Sequence, residues 1–345
     1  MSIKKDKDIN TNDKDAKSME INSKLLAAQQ AIKQINSEHG EGSVMFLKDN
    51  NPNKVIDCVS TGSLALNYAL GMGGIPRGRV TEIYGNEGSG KTTIALHVIA
   101  NSQKTGGICA FIDAEHALDV NYAQKIGIDL SNLIISQPNS GEEAIEIVER
   151  LVKSHAIDVV VIDSVAALVP KAELEGSMED VVMGGQARLM SKALRKVVPS
   201  ISKSETACIF INQIRSKIGV MFGSPETTSG GNALKFYASV RIEVKKRSLI
   251  KKGEQIVGQD TELKVTKNKF FPPFQKATFE LIYGEGINNI GELIDLCVLK
   301  NILQKSGTWF SYGEQKLGQG KEIASKNIKA DINLYNELMN KLNLI

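Results

Sequence analysis

The sequence predicts an α/β protein: a mostly parallel, twisted sheet flanked by helices, followed by a small α+β unit. Three observations predict it. Runs such as Ile108–Ile112, Val159–Ile162 and Ala207–Ile211 are apolar at every position, not at alternate ones, so both faces of those strands are buried. Helical stretches separate the runs, as a parallel sheet with crossover helices requires. A glycine-rich loop joins one strand to the following helix.

The elements follow in order. Residues 1–18 mix Lys, Asp and Asn with little that is apolar, and predict a disordered lead. Residues 19–52 predict a helix and a linker. Ile21, Leu25, Ala28, Ile32 and Ile35 recur in steps of four and three, one face of a helix, and Gly40–Gly42 ends it. The core is expected over 53–287. It contains strands at Val80–Tyr84, Ile108–Ile112, Val159–Ile162 and Ala207–Ile211, and helices at Thr92–Ala100, Glu142–Ser154 and Gln186–Val198. Further strands at Tyr237–Val244, Glu262–Val265 and Thr278–Tyr283 have shorter connections and predict an antiparallel extension. Residues 288–345, rich in short helical stretches with Asn, Lys and Gly, predict the small C-terminal domain.

Composition narrows the function. The 345 residues carry 42 Lys+Arg against 39 Asp+Glu, a net charge of +3. That excludes a protein that wraps nucleic acid by bulk charge and leaves room for a local basic patch. Aromatic residues are 5% of the chain, so base-stacking platforms must be few. No apolar run approaches the ~20 residues that span a bilayer. Met1 to Asn22 is polar, without the apolar stretch of a signal peptide, and a cytoplasmic location without membrane contact is expected. Cys58, Cys109, Cys208 and Cys297 form no C-x-x-C pair and are expected reduced. The histidines show no zinc spacing.

Gly85-Asn86-Glu87-Gly88-Ser89-Gly90-Lys91-Thr92 fits the phosphate-loop pattern G-x-x-x-x-G-K-Ser/Thr, with a strand before it and a helix after it. Its glycines let the backbone wrap a phosphate, and the helix start adds free N–H groups and partial positive charge. Lys91 supplies a full charge to the β- and γ-phosphates, and Thr92 offers a hydroxyl to Mg²⁺. Thr93 is assigned to the same site. A carboxylate at the end of a buried strand should complete the metal contact, and Asp163 stands there. Hydrolysis also needs a group that orients or deprotonates water. Glu115, after the strand Ile108–Ile112, is the candidate. Gln213, at the end of Ala207–Ile211, is placed to sense a γ-phosphate.

Several further stretches carry a resemblance. They are Ser60-Thr-Gly-Ser-Leu, Ile112-Asp-Ala-Glu-His-Ala-Leu-Asp119, Asp163-Ser-Val-Ala-Ala-Leu168, Asn212-Gln-Ile-Arg215, Pro225-Glu-Thr-Thr228 and the segment Gly230–Arg241. From about Ile21 to about Lys321 the chain resembles the bacterial RecA family, recombinases that form filaments on single-stranded DNA. The resemblance implies a RecA-type P-loop NTPase core and ATP bound between neighbouring subunits of a helical homo-oligomeric filament. It implies that Glu115 activates water and Gln213 couples ATP to DNA. Asp119, Tyr122 and Tyr283 would hold adenine. Lys267 and Lys269 would reach a neighbour's ATP, with Lys235 and Phe236 at the same boundary. The helix bearing Ile21 and Leu25 would be the oligomerisation element.

Arg188, Lys192 and Arg195, spaced i, i+4, i+7, line one helical face. Ser191 is assigned to the same DNA-binding set. The resemblance implies that loops within Glu175–Gly184 and Ile214–Ser229 meet DNA. Met183, Met221 and Phe222 would insert between bases, and Gly230 and Gly231 would allow close backbone approach. Binding without sequence preference follows from phosphate contacts. Arg241–Lys269 holds nine Lys/Arg and four Asp/Glu, with Lys245, Lys246 and Arg247 as candidates for a second, double-stranded DNA. The family resemblance also implies activation of a LexA-type repressor's self-cleavage (an SOS response).

Some residues depart from the family. Asn86 and Gly88 stand where many relatives carry Pro and Ser, within a loop whose backbone does the binding. Ser177–Val182 differs in side chains. The chain ends at Leu344-Ile345 without an acidic run, so weak autoinhibition is expected. A hexameric helicase would share Lys91, Glu115 and Asp163 but lack Ala233–Arg241. A small-molecule kinase would need an Arg-rich lid. A non-hydrolysing DNA scaffold would not need Glu115.

Overall fold

The computed structural model describes residues 6–47, 56–176, 184–216 and 226–342. The chain divides into two compact units, residues 1–55 and 56–345.

The first unit is built on one helix, α1 (Asp6–His39). It begins ahead of Ser18, so the backbone is helical where composition predicts a disordered lead. Once a helix is nucleated, each added residue gains one hydrogen bond, and the polar Lys/Asp/Asn stretch extends the apolar-striped part on that basis. The turn beyond it is closed by Asn36, whose side chain both donates to Val44 O and accepts from Val44 N at 3.0 Å. On the apolar stripe, Ile21 is 58% and Leu25 40% exposed in the single chain.

The second unit opens with β1 (Cys58–Val59) paired with β2 (Ile75–Pro76), and α2 (Leu64–Leu70) lies between them in sequence. The parallel core then alternates strands and helices. It comprises β3 (Val80–Gly85), α3 (Lys91–Lys104), β4 (Cys109–Asp113), α4 (Val120–Ile126), β5 (Leu133–Ser136), α5 (Gly141–Lys153), β6 (Val159–Asp163), α6 (Lys171–Glu175), α7 (Gly185–Ser204) and β7 (Ala207–Ser216). The short β8 (Glu226–Thr228) and α8 (Ala233–Tyr237) lead to the hairpin β9 (Val240–Lys252) and β10 (Gln255–Asn268), and then to β11 (Lys276–Ile282) and β12 (Gly286–Ile287).

The main sheet has the order β12-β11-β10-β9-β3-β7-β6-β4-β5, with β8 on β7. Strands β9 to β5 along that path run parallel, and β10, β11 and β12 extend it antiparallel. Alternate residues of each buried strand enter opposite cores. Val159 and Val161 pack in the layer holding α3's Ile94, Val98 and Ile99, whereas Val160 and Ile162 pack with Ala144 and Val148 of α5 and Met190 and Leu194 of α7. This two-sided burial is why the strand sequences are apolar without alternation.

The C-terminal part contains α9 (Asn289–Leu299), a three-stranded antiparallel sheet of β13 (Gln304–Ser306), β14 (Trp309–Tyr312) and β15 (Gln315–Gln319), then α10 (Lys321–Ala330) and α11 (Ile332–Leu342). Leu293, Cys297, Phe310, Leu317, Ile328 and Leu338 form its core. Glu292 ties α9 to α2: one carboxylate oxygen accepts from the Ser63 hydroxyl at 2.5 Å and the other from Leu64 N at 3.2 Å.

Two elements differ from expectation. Tyr237 closes α8 and is not the first residue of a strand; the ammonium of Lys267 donates to Lys235 O and Phe236 O and holds that helical turn, so the strand starts at Val240. The edge strand β5 was not expected; its Ile134 and Ile135 are 40% and 49% exposed because only β4 pairs with it. The sheet β13–β15, with α9, α10 and α11, makes up the small α+β unit that was expected.

Candidate nucleotide site and basic helix face

The glycine-rich loop leaves β3, a central strand, and enters α3 at Lys91. Gly85 must be glycine, because a Cβ there would stand 2.2 Å from Val244 O. Gly90, with φ +100°, opens α3 without a side-chain cap, so its first N–H groups face the loop and are available to an anion. Ser89 Oγ is buried without a hydrogen-bond partner, an orphaned donor inside the loop. Lys91 is 8% exposed, and its ammonium donates to Asn86 O at 2.8 Å. Burial pulls its pKa below the ordinary lysine value, against the pull of Asp163, Glu115 and Glu87.

The ends of three parallel strands form one wall. Thr92 Oγ1 donates to Asp163 Oδ2 at 2.6 Å. Burial first, then the charges of Glu115 and Asp113, raises Asp163 to about 6, opposed by the Thr92 hydrogen bond and Lys91. Ser164, joined to Asp163 by a cis peptide bond, donates its hydroxyl proton to Glu115 Oε1. Gln213 Nε2 donates to the same oxygen at 3.0 Å. Asp113, the buried last residue of β4, is structural: its oxygens accept from Ala117 N, Leu118 N and Gln137 Nε2. Ala114 N and Glu115 N donate to Asp163 O, which fixes the turn that presents Glu115.

A cleft of about 490 Å³ runs from this loop between α4 and the antiparallel extension. It is lined by Thr93, Asp119, Tyr122 and Tyr283, all expected, and by Gln259, which was not. Asp119 caps α4 by accepting from Tyr122 N at 3.0 Å, and the Tyr122 and Thr93 hydroxyls are 3.3 Å apart. Gln259 Nε2 donates to Gly88 O at 3.1 Å, and its Oε1 accepts from the Tyr283 hydroxyl at 3.1 Å. Nothing in its own strand marks Gln259, because β10 is polar at most positions; it is 1% exposed.

The residues fit a divalent cation. Thr92 and Asp163 present two oxygens side by side, and the buried, raised carboxyl is a group that a cation would return to its charged form. Among the described residues no cluster of three or more His, Cys, Asp or Glu could hold a metal by itself, so phosphate oxygens and water would supply the remaining ligands.

Away from this cleft, Arg188, Ser191, Lys192 and Arg195 line one shallow groove along α7, while Met190, Leu194 and Val197 are buried on its other side. The neighbouring Lys196 pairs with Glu149 at 2.5 Å. Gly230 and Gly231, with φ of +77° and +75°, lie against the start of α7. Met183, Met221 and Phe222 lie outside the described residues. Lys235, Phe236 and Lys267 form one group, with Phe236 74% exposed, and Lys269 follows directly, its N–H on Ser239 O. In the second basic stretch Lys245 pairs with Glu243 and Arg247 with Glu262.

The fold and the loop define a nucleotide-binding protein of the P-loop α/β class. Residues 26–288 match the family model for the RecA N-terminal domain, and residues 291–344 match that for the RecA C-terminal domain. The chain belongs to the RecA family. It is 56% identical over 331 residues to the RecA protein of Chlorobium limicola, covering 96% of this chain and 95% of that one. It is 59% identical over 308 residues to that of Chlorobaculum tepidum, covering 89% of each. Membership supports a role in DNA recombination and repair, with nucleotide binding, DNA binding and self-association as general properties. Among the described residues no helix is long and apolar enough to cross a membrane.

Proposed function

We propose that the chain is a DNA-dependent ATPase and recombinase. It polymerises as a helical filament on single-stranded DNA, pairs that strand with homologous double-stranded DNA and exchanges strands. The observation that carries this reading is the contact of Gln213 with Glu115, because it links a strand that leads into a DNA loop to the water-activating carboxylate.

Each residue has a role in the proposal. The backbone of Gly85 to Gly90, with Lys91, binds the phosphates of ATP. Thr92 and Asp163 would hold Mg²⁺, which when bound neutralises phosphate charge. Glu115 orients and deprotonates water, and Ser164 and Gln213 fix its carboxylate. Gln213 reports the nucleotide state to Ile214 and the loop beyond. Asp119, Tyr122 and Tyr283 hold the base. Lys267 and Lys269, with Lys235 and Phe236, face the nucleotide of an adjoining subunit, and Ile21 and Leu25 on α1 pack on a neighbour. Arg188, Ser191 and Arg195, with Gly230 and Gly231 and the loop residues Met183, Met221 and Phe222, bind DNA. The domain division is 19–52 for assembly, 53–287 for the ATPase core and 288–345 for the C-terminal domain. Self-cleavage of a LexA-type repressor on the active filament belongs to the same proposal.

The test is ATP hydrolysis with Mg²⁺, with and without long single-stranded DNA, at two salt concentrations. Stimulation that fades at the higher salt supports the reading. Turnover indifferent to DNA overturns it.

A further inference from the structure

We propose that Gln186 is a positioning residue that ties the exit of the second DNA loop to the catalytic wall of the nucleotide site. The proposal rests on the DNA-gated ATPase reading above, and names a second connection besides Gln213.

Gln186 is half-buried in the first turn of α7. Its Nε2 donates to Val165 O at 2.8 Å, Ala166 O at 3.2 Å and Leu168 O at 3.3 Å. Its Oε1 accepts from Gly230 N at 3.2 Å. One amide thus uses both of its functions, donor and acceptor, on two different segments. The first segment directly follows Asp163 and Ser164, and Ser164 donates to Glu115. The second is the return from the segment after β7.

The packing around these bonds leaves no slack. A Cβ on Gly230 would stand 2.9 Å from Val165 Cγ1 and 3.0 Å from Met190 Cγ, and one on Gly231 would stand 2.8 Å from Ala187 Cβ. The other side of the same return is also held: Ser229 N donates to Gln213 O at 3.3 Å, and Asn212 Nδ2 donates to Ser229 O at 3.1 Å. Residues 229–230 are therefore clamped between Asn212-Gln213 and Gln186. A shift of this return when DNA binds must act on both clamps. Through Gln186 it acts on residues 165–168 and so on Ser164 and Glu115. The coupling runs through contiguous packed backbone and hydrogen bonds, with a difference in free energy between two arrangements as its only requirement.

The experiment compares the unsubstituted chain with Gln186→Met, which keeps the volume and loses the amide, and Gln186→Glu, which keeps the acceptor for Gly230 N and sets a carboxylate against three carbonyls. Measured are the kcat and KM of ATP hydrolysis with and without long single-stranded DNA, affinity for a fluorescent ATP analogue, affinity for labelled DNA, and thermal unfolding. The expected result is unchanged nucleotide and DNA affinity, unchanged basal turnover, and a DNA stimulation of kcat reduced about tenfold in both variants. Stimulation equal to that of the unsubstituted chain in Gln186→Met overturns the proposal. So does a parallel fall of nucleotide affinity and unfolding temperature, which would make Gln186 merely structural. An unsubstituted chain without DNA stimulation would instead remove the ATPase reading, and that outcome is distinguishable because it needs no variant.

Discussion

Gln213 and Glu115 lie 98 residues apart in sequence, one on β7 and the other just past β4, strands that are not neighbours, and still meet at 3.0 Å. Strand β6 runs between their strands, and its end contributes Ser164 to the same carboxylate oxygen. The C-terminal ends of three parallel strands thus meet at one carboxylate oxygen, carried by one and hydrogen-bonded from the other two. Strand ends on one edge of such a sheet are where the backbone ladder stops and side chains gain reach.

Glu115→Gln should leave this arrangement standing, because an amide oxygen still accepts from Ser164 and Gln213. It removes the proposed base. DNA-stimulated hydrolysis should fall about 10²- to 10⁴-fold, while affinity for a fluorescent nucleotide stays at the starting level. Steady-state turnover and a nucleotide titration on the same preparation check this; full activity would dismiss Glu115 from the chemistry.

Gln259 buttresses the loop from the far wall. Gln259→Ala loses its bonds to Gly88 O and the Tyr283 hydroxyl and should weaken nucleotide binding by about 1 kcal/mol, about fivefold in Kd. The expected effect is on KM, with kcat at saturation retained, since nothing at Glu115 changes.

Lys192 and Arg195 stand exposed on one face of α7. If each meets one phosphate of single-stranded DNA, Lys192→Gln and Arg195→Gln should each lower the slope of log affinity against log salt by about 0.7. Fluorescence anisotropy over a salt series reads this directly. A parallel drop at all salts without a slope change would mean lost packing, not lost charge.

Glu292 gives a pH prediction. Burial raises its carboxyl to about 7 from the ordinary 4.5, against the hydrogen bonds from Ser63 and Leu64. A raised acid contributes its stability in full below about pH 4.5 and loses it as pH climbs through about 7. The loss by pH 8 is on the order of 3 kcal/mol. Glu292→Gln can meet Leu64 N with its oxygen and Ser63 with its NH₂. It should unfold at about the same denaturant concentration as the unsubstituted chain at pH 5 and at a higher one at pH 8. Urea melts at the two pH values decide it.

Much of this was legible in the sequence. The phosphate loop was readable because its chemistry is local, with spacing and neighbouring elements all within one turn. Asp163, Glu115 and Gln213 were readable as polar residues ending apolar runs. Gln259 was not, because its meeting with Gly88 spans 171 positions and depends on strand pairing that no local pattern encodes. Glu292 was hidden for the same reason: its partners Ser63 and Leu64 are more than 200 residues away. The Tyr237 turn was misread because the Lys267 ammonium that holds it comes from another strand. Long-range register, not propensity, is what single-sequence reading lacks here.

The position of β3 has one more consequence. On one flank its neighbours are the parallel strands that carry Gln213, Asp163 and Glu115; on the other are β9, β10 and β11, leading to Gln259 and Tyr283. Under the proposed ATPase function the loop would therefore be served from both flanks. Changes at Gln259 or Tyr283 would act first on how long a nucleotide stays, and changes at Glu115 or Gln213 on how soon it is cleaved. Dwell and tempo would then be adjustable on separate dials without redrawing the loop between them.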